Sequence, residues 1–166
     1  MATSCKIGII GAGASGLMAA YKLADHCQVT LFEKKDIPGK KLSITGNGRC
    51  NFTNEDMNSS KYYSSDIAYH SFLDKCFEKY NEKSLIEDFE ALGIVCKNKN
   101  GYWYPYSEQA SGVRDAFLYA IKEKNVKLCN EEVTKISYNS PILVDTLQGN
   151  VYEFDYLIIC TGSTLS

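Results

Sequence analysis

Apolar and polar positions follow two different periods along this chain, and the switches between them mark its elements. Lys6-Ile7-Gly8-Ile9-Ile10 is a short β-branched run, after which Leu17, Ala20 and Leu23 recur at helical spacing. Gln28-Val29-Thr30-Leu31-Phe32 is a second strand-like run, so residues 5–32 read as one βαβ unit. The alternation breaks over about residues 55–110. There Phe72, Leu73, Cys76, Phe77 and Tyr80 form one stripe of a helix over 69–80. Ser84-Leu85-Ile86-Glu87 reads as a capping box opening a second helix, with Leu85, Phe89 and Leu92 inward and Gly93 at its end. Residues 94–97 and 102–104 flank Asn98-Lys99-Asn100-Gly101 as a hairpin.

Order returns at Ser111. Val113, Ala116, Phe117, Ala120 and Ile121 predict an amphipathic helix lying on the sheet, and residues 125–129 a parallel strand. Three alternating runs at 133–138, 142–146 and 151–154 are separated by Asn139-Ser140-Pro141 and Gln148-Gly149-Asn150, as in a β-meander. Asp155-Tyr156-Leu157-Ile158-Ile159-Cys160-Thr161-Gly162 then reads as a buried strand ending in Thr-Gly.

The first βαβ unit carries chemistry. Gly11, Gly13 and Gly16 form G-x-G-x-x-G between strand and helix. The first glycine permits a tight turn, the second admits a pyrophosphate to the backbone, and the third lets helix and strand pack closely. The helix start at Ala14 and Ser15 turns free N–H groups and the positive dipole end toward an anion. Glu33 ends the second strand at close to the roughly 20-residue spacing of a carboxylate that grips a ribose diol. The bland alternative is a plain βαβ unit.

Residues 40–54 form a polar, glycine-punctuated loop with Lys40, Lys41 and Arg49 as its cations. Glycines expose backbone N–H groups to anions, and Arg49 can fork two hydrogen bonds onto phosphate oxygens. An ordinary surface loop is the alternative. Within this stretch Thr45-Gly46-Asn47-Gly48-Arg49-Cys50-Asn51-Phe52-Thr53-Asn54, preceded by Glu33-Lys34, Gly39 and Lys40-Lys41-Leu42, closely resembles the BaiN/RdsA-type NAD(P)/FAD-dependent oxidoreductases. These are flavoproteins of the glutathione-reductase-like superfamily. The resemblance covers the whole chain but only the first part of the family's longer one.

That resemblance implies an α/β, Rossmann-like FAD-binding domain with a parallel sheet ordered 126–129, 28–32, 6–10, 156–160. A β-meander forms the crossover, and a helical and hairpin insertion occupies about residues 55–110 of a domain spanning 1–166. FAD is the implied cofactor, with NAD(P)H as a possible electron donor. Glu33 would hold the adenosine ribose, and Gly11, Gly13, Ala14, Ser15 and Gly16 the pyrophosphate. Lys40, Lys41, Gly48, Arg49, Cys50 and Asn51 would run along the pyrophosphate toward the flavin, with Lys34, Val133, Thr161 and Gly162 completing the cofactor set. The family continues with a further glycine after the Thr-Gly, and Ser163-Thr164-Leu165-Ser166 departs from that pattern. An N-terminal portion with a bare sheet edge and part of its active site absent is therefore expected. The reading is the FAD-binding portion of a flavin-dependent, NAD(P)H-linked oxidoreductase. A non-catalytic nucleotide-binding remnant and an NAD-dependent dehydrogenase domain are the alternatives.

Candidate catalytic groups are sparse. Cys50 lacks the second cysteine that flavin-coupled disulfide chemistry needs, leaving either a thiolate favoured by Arg49 or a packed thiol. Tyr102, Trp103, Tyr104, Pro105 and Tyr106 could wall a planar ring or serve as cross-strand pairs. His26 and His70 have no ligand-spaced neighbours, so no metal is expected and no acid, base or nucleophile stands out. Composition narrows the rest. The chain has 166 residues, 45% hydrophobic and 23% charged, with net charge −2, which speaks for an ordinary globular domain without a nucleic-acid face. No apolar run reaches the roughly 18–20 residues of a membrane span. Seven cysteines without C-x-x-C argue against zinc and disulfide frameworks and for the reducing cytoplasm. Substrate, taken as a small molecule, and oligomeric state are not encoded legibly.

Overall fold

A computed structural model describes residues 5–66 and 68–162. The departure at Ser163-Thr164-Leu165-Ser166 lies outside the described residues. In chain order the elements are β1 (Lys6–Ile10), α1 (Ala14–Leu23), β2 (Gln28–Phe32), α2 (Thr45–Gly48), β3 (Thr53–Asn54) and α3 (Tyr69–Lys79). They continue with α4 (Glu82–Ala91), β4 (Cys96–Lys99), β5 (Tyr102–Pro105), α5 (Ala110–Glu123) and β6 (Lys127–Cys129). The last four strands are β7 (Val133–Ser137), β8 (Ile142–Thr146), β9 (Val151–Phe154) and β10 (Tyr156–Ile159). Two compact units result: residues 1–42 with 117–166, and residues 43–116.

The first unit is built on a four-stranded sheet in the order β10-β1-β2-β6, with every pair parallel, which is the order the sequence led to expect. Strands covered on both faces need apolar residues in sequence, and Ile7, Ile9, Val29, Leu31 and Phe32 are buried accordingly. Gly8 interrupts the β-branched run for a steric reason. A Cβ there would come within 2.8 Å of both the Leu157 and Phe154 side chains. The antiparallel meander β7-β8-β9 thus seats Phe154 over the sheet, in a cluster with Phe32, Cys129 and Val144. Phe32 meets the Tyr152 and Phe154 rings edge-on at 5.0 and 5.9 Å, a favoured aromatic geometry. The second half of α5 meets α1 where Phe117 packs edge-on against Tyr21 at 6.4 Å.

β10 lies at the bare sheet edge expected from the strand order, though it is not the buried strand its composition suggested. Among the described residues it pairs only with β1, and Tyr156 and Ile159 are 64% and 53% exposed. An edge strand has a neighbour on one side only, so an apolar composition does not by itself bury it.

The second unit holds the three-stranded antiparallel sheet β3-β5-β4. The hairpin is tighter than its sequence suggested: Asn98 and Lys99 pair with Trp103 and Tyr102, leaving Asn100-Gly101 as the loop. Both loop residues have positive φ, 56° and 83°, the conformation of a two-residue turn that follows the right-handed strand twist. Helix α4 begins earlier than the expected capping box. Asn81 caps it, its side chain accepting from the Lys83 and Ser84 amides at 3.0 and 3.3 Å, so Ser84 lies inside the first turn. Gly93, with φ 79°, ends the helix as expected. The α3 stripe is not a core face. No residue of that helix is buried and Phe72 is 63% exposed, because three short strands offer too little surface to cover a second helix. Phe77 instead meets the Tyr62 ring, and the Tyr80 hydroxyl donates to Asp88 at 2.5 Å.

One carboxylate just ahead of β7 ties together β8, β9 and the turn between them. Glu131 accepts from the Thr146 hydroxyl at 2.6 Å, the Tyr152 hydroxyl at 2.6 Å and the Asn150 amide at 3.1 Å. Those bonds, Thr146's first, hold its pKa below the usual carboxylate range and push that of Tyr152 up. A depressed carboxylate stabilises the fold above its unfolded pKa, and that contribution is lost as pH falls through the folded value. Glu131→Gln is therefore expected to melt lower than the parent at pH 7. The gap should close as the pH is taken down toward 3. Thermal denaturation followed by circular dichroism at a series of pH values checks this.

Candidate cofactor site

The carboxyl ends of β1, β2 and β10 gather the glycine turn, Glu33 and residues 161–162 in one unit. Gly11 leaves β1 with φ 101°, and its N–H donates to the Phe32 carbonyl at 2.8 Å, so the turn is anchored to β2. A Cβ on Gly11 would lie 2.5 Å from the Cys160 carbonyl oxygen. Gly16 is tighter still, its hypothetical Cβ falling 1.9 Å from the Gly11 carbonyl oxygen. Only hydrogen fits at either point.

Gly13 differs from both. It is the N-cap of α1, its backbone is extended, and nothing lies within 4 Å of where a Cβ would sit. The space beside it is open to a ligand rather than filled by protein. No side chain caps this end of α1, and Ala14 and Ser15 are exposed. The first-turn N–H groups have no intrahelical acceptor and point outward with the positive end of the dipole.

Glu33 is held beside that turn. Its two carboxylate oxygens accept from the Ala12 and Lys35 amides, each at 3.0 Å, and its own N–H donates to the Cys129 carbonyl at 2.9 Å. A carboxylate oxygen has two lone pairs, so each retains capacity for a ligand hydroxyl. The Gly39 N–H donates to the Ala12 carbonyl at 2.8 Å and draws the segment carrying Lys40 and Lys41 to the turn. Both lysines are exposed. Lys34 is committed elsewhere, its Nζ lying 3.3 Å from Glu132. Val133 opens β7 half-buried against the Phe32 cluster. Thr161 and Gly162 are exposed just past β10, Gly162 with φ 71°.

Gly48, Arg49, Cys50 and Asn51 belong to the other unit. The backbone there is left-handed at Gly46, Asn47, Gly48 and Cys50, so the α2 turn is not regular helix. Arg49 is exposed with its guanidinium 6.0 Å from the Tyr104 ring centroid, a cation–π spacing. Cys50 does not fit the activated thiolate. It is 2% exposed, and burial pushes its thiol up although a hydrogen bond with Thr45 opposes this. A packed thiol is what the geometry describes. The aromatic string splits across β5: Tyr102 and Tyr106 are exposed, Pro105 is buried, and Trp103 Nε1 is buried with no hydrogen-bond partner among the described residues. The Lys97 ammonium sits over Tyr106 and pairs with Glu108 at 2.7 Å. Sequence reasoning missed Glu131 and Ala12. Neither has a local signal, since one acts through strands that only the meander brings together and the other through a main-chain amide.

The arrangement suits a dinucleotide with a pyrophosphate at Gly13 and a ribose diol at Glu33. Helix amides, an open glycine and an anchored acceptor are the donor and acceptor set such a ligand needs. No helix among the described residues is long and apolar enough to cross a membrane.

Comparison with known proteins agrees with this geometry. The family profile described as the HI0933-like protein Rossmann domain matches residues 5–165. The 3-dehydro-bile acid delta(4,6)-reductase of Clostridium scindens is 34% identical over 165 residues, covering 97% of this chain and 40% of that protein. The ribosomal RNA dihydrouridine synthase of Escherichia coli is 26% identical over 157 residues, covering 93% of this chain and 38% of that one. The chain thus spans about two fifths of the length of these relatives. Among solved structures, Thermovibrio ammonificans THI4 superposes with a TM-score of 0.57 at 15% identity, covering 96% of this chain and 58% of that one. Glycine oxidase from Geobacillus kaustophilus gives 0.54 at 15%, covering 96% and 56%. These likenesses concern the fold. With the glycine turn, the Glu33 anchor and the profile match in agreement, the chain belongs to the HI0933-like (BaiN/RdsA) family of flavoproteins and carries its FAD-binding Rossmann domain.

Proposed function

We propose that this is the FAD-binding portion of a cytoplasmic, NAD(P)H-linked reductase that saturates an activated carbon–carbon double bond in a small-molecule acceptor. The cradle at Gly13 and Glu33 carries the reading, since an unfilled approach to a helix N-terminus beside an anchored carboxylate matches the two polar ends of an ADP moiety. The names of both relatives denote addition of hydrogen across a carbon–carbon double bond, which supports the reaction class. The small acceptor follows the bile-acid reductase, at 34% identity the more similar of these two relatives, and seven free cysteines suit a reducing compartment.

Bound FAD supplies the hydride carrier between NAD(P)H and the acceptor. The chain's own contribution is positional. First-turn amides of α1 donate to the pyrophosphate oxygens, Gly13 lets those oxygens reach the backbone, and Glu33 fixes the ribose through two oxygens that main-chain amides already orient. Lys40 and Lys41 add positive charge for the phosphates, with Thr161 and Gly162 at the strand end, and the family resemblance adds Arg49 to the residues that hold FAD.

Gly13→Ala keeps an allowed backbone, so its melting temperature should stay within about 2 °C of the parent while FAD affinity falls about ten-fold or more. Gly16→Ala forces a methyl into the Gly11 carbonyl and should cost about 3 kcal/mol of stability. Flavin fluorescence titration and thermal denaturation separate the two, and wild-type affinity in Gly13→Ala would remove the cradle. Glu33→Gln should weaken FAD about ten-fold, as expected for loss of a charged hydrogen bond. Arg49→Ala should weaken it more than Arg114→Ala, because Arg114 is already bonded to Ser43 and Asp115. Anaerobic NADH or NADPH should bleach the flavin absorption of the loaded protein. Bleaching by dithionite but by neither nucleotide would refute the NAD(P)H link.

A further inference from the structure

Cys5 and Cys27 have no part in the cofactor site. Each immediately precedes a strand of the first βαβ unit, Cys5 before β1 and Cys27 before β2. The parallel register pairs Lys6 with Gln28, and the Gln28 N–H donates to the Cys5 carbonyl at 2.8 Å. One step back along both strands therefore sets Cys5 beside Cys27. Neighbouring strands run about 4.8 Å apart, within the Cα separation of about 4.4–6.8 Å that a disulfide spans. A hydrogen bond with the Cys27 side chain is the chief cause that raises the Cys5 thiol's pKa. Both cysteines are half-buried, so a small reagent can reach them, whereas Cys50 and Cys129 are buried. The nearby charge is Asp155, whose carboxylate accepts from the Lys6 N–H at 2.8 Å. The pair sits at the amino ends of the strands, with Gly11 and Glu33 at the opposite ends.

We propose that Cys5 and Cys27 are a reversible dithiol–disulfide site that clamps β1 to β2, closed by exchange with a low-molecular-weight disulfide. One thiolate attacks a sulfur of the small disulfide, whose S–S bond breaks to leave a mixed disulfide on the protein and one small thiolate. The second cysteine, giving up its proton, then attacks the protein-side sulfur of that mixed disulfide. The Cys5–Cys27 S–S bond forms, the mixed S–S bond breaks, and the second small thiol departs. Two protein thiols are oxidised, one small disulfide is reduced to two thiols, and the two thiol protons pass to them through solvent. The closed loop contains α1 and the glycine turn, so the linkage restrains the unfolded chain across the whole βαβ unit.

Native protein equilibrated with glutathione disulfide and then digested without reduction tests this by mass spectrometry. The expected product is a Cys5–Cys27 cross-linked peptide, with Cys50 and Cys129 unmodified and a higher melting temperature that dithiothreitol reverses. Cys5→Ser and Cys27→Ser should each trap a glutathione adduct on the remaining cysteine. FAD affinity of the oxidised protein should stay within two-fold of the reduced form, so the result is independent of the cofactor reading. Separate adducts on Cys5 and Cys27 with no cross-link, or cross-links spread over other cysteines, would overturn the proposal.

Discussion

The contact between Gly16 and the Gly11 carbonyl is the constraint on which the first unit rests. With room for hydrogen alone, α1 packs against the end of β1 at main-chain distance. A single methyl would have to push helix and strand apart, and a close-packed interior absorbs such shifts poorly. Everything chemical in this unit follows from that closeness. The Gly11 N–H reaches Phe32, which ties the turn to β2, and Ala12 comes within hydrogen-bond reach of the Glu33 carboxylate. The acceptor for a ribose and the donors for a pyrophosphate are thereby held on neighbouring strand ends.

The other face of the sheet is governed by a different economy. Gly8 is bare because Phe154 and Leu157 occupy the volume a side chain would need, so the meander rests on main chain. Its strands are short, and alternating patterns alone would leave their relative register weakly specified. Glu131 answers that by accepting from β8, β9 and the turn between them. A charged acceptor with three neutral donors makes the register costly to shift, since slipping it strands a carboxylate among groups that no longer reach it.

In residues 43–116 the apolar supply is smaller and polar side chains carry more of the organisation. Phe52 stacks on Phe89 at 4.2 Å, and Asn98 donates to Glu55 at 2.8 Å across the sheet. Lys97 lies between Glu108 and the Tyr106 ring. Aromatic side chains here are divided between packing and solvent, so Tyr102 and Tyr106 remain on the surface while Phe52 and Phe89 stack on each other.

Short-range rules made much of this protein legible. Glycine spacing, β-branched runs and turn residues determined the βαβ unit, the meander and the hairpin, because each depends on neighbours within a few residues. The strand order and FAD came instead through resemblance to a family, carried by the string from Thr45 to Asn54. Tertiary structure decided what depends on a distant partner. The stripe on α3 had the right period and no surface to bury against, and β10 had a core composition at an edge position. Asn81 rather than Ser84 caps α4, since the choice turns on where the chain enters the helix. Cys50 beside Arg49 left an activated and a packed thiol both open, and burial rather than sequence adjacency decides for packing. Sequence by itself determined which residues could bind a dinucleotide; only the packing of α1 on β1 decided that Ala12 would orient Glu33 and that Gly13 would stand open.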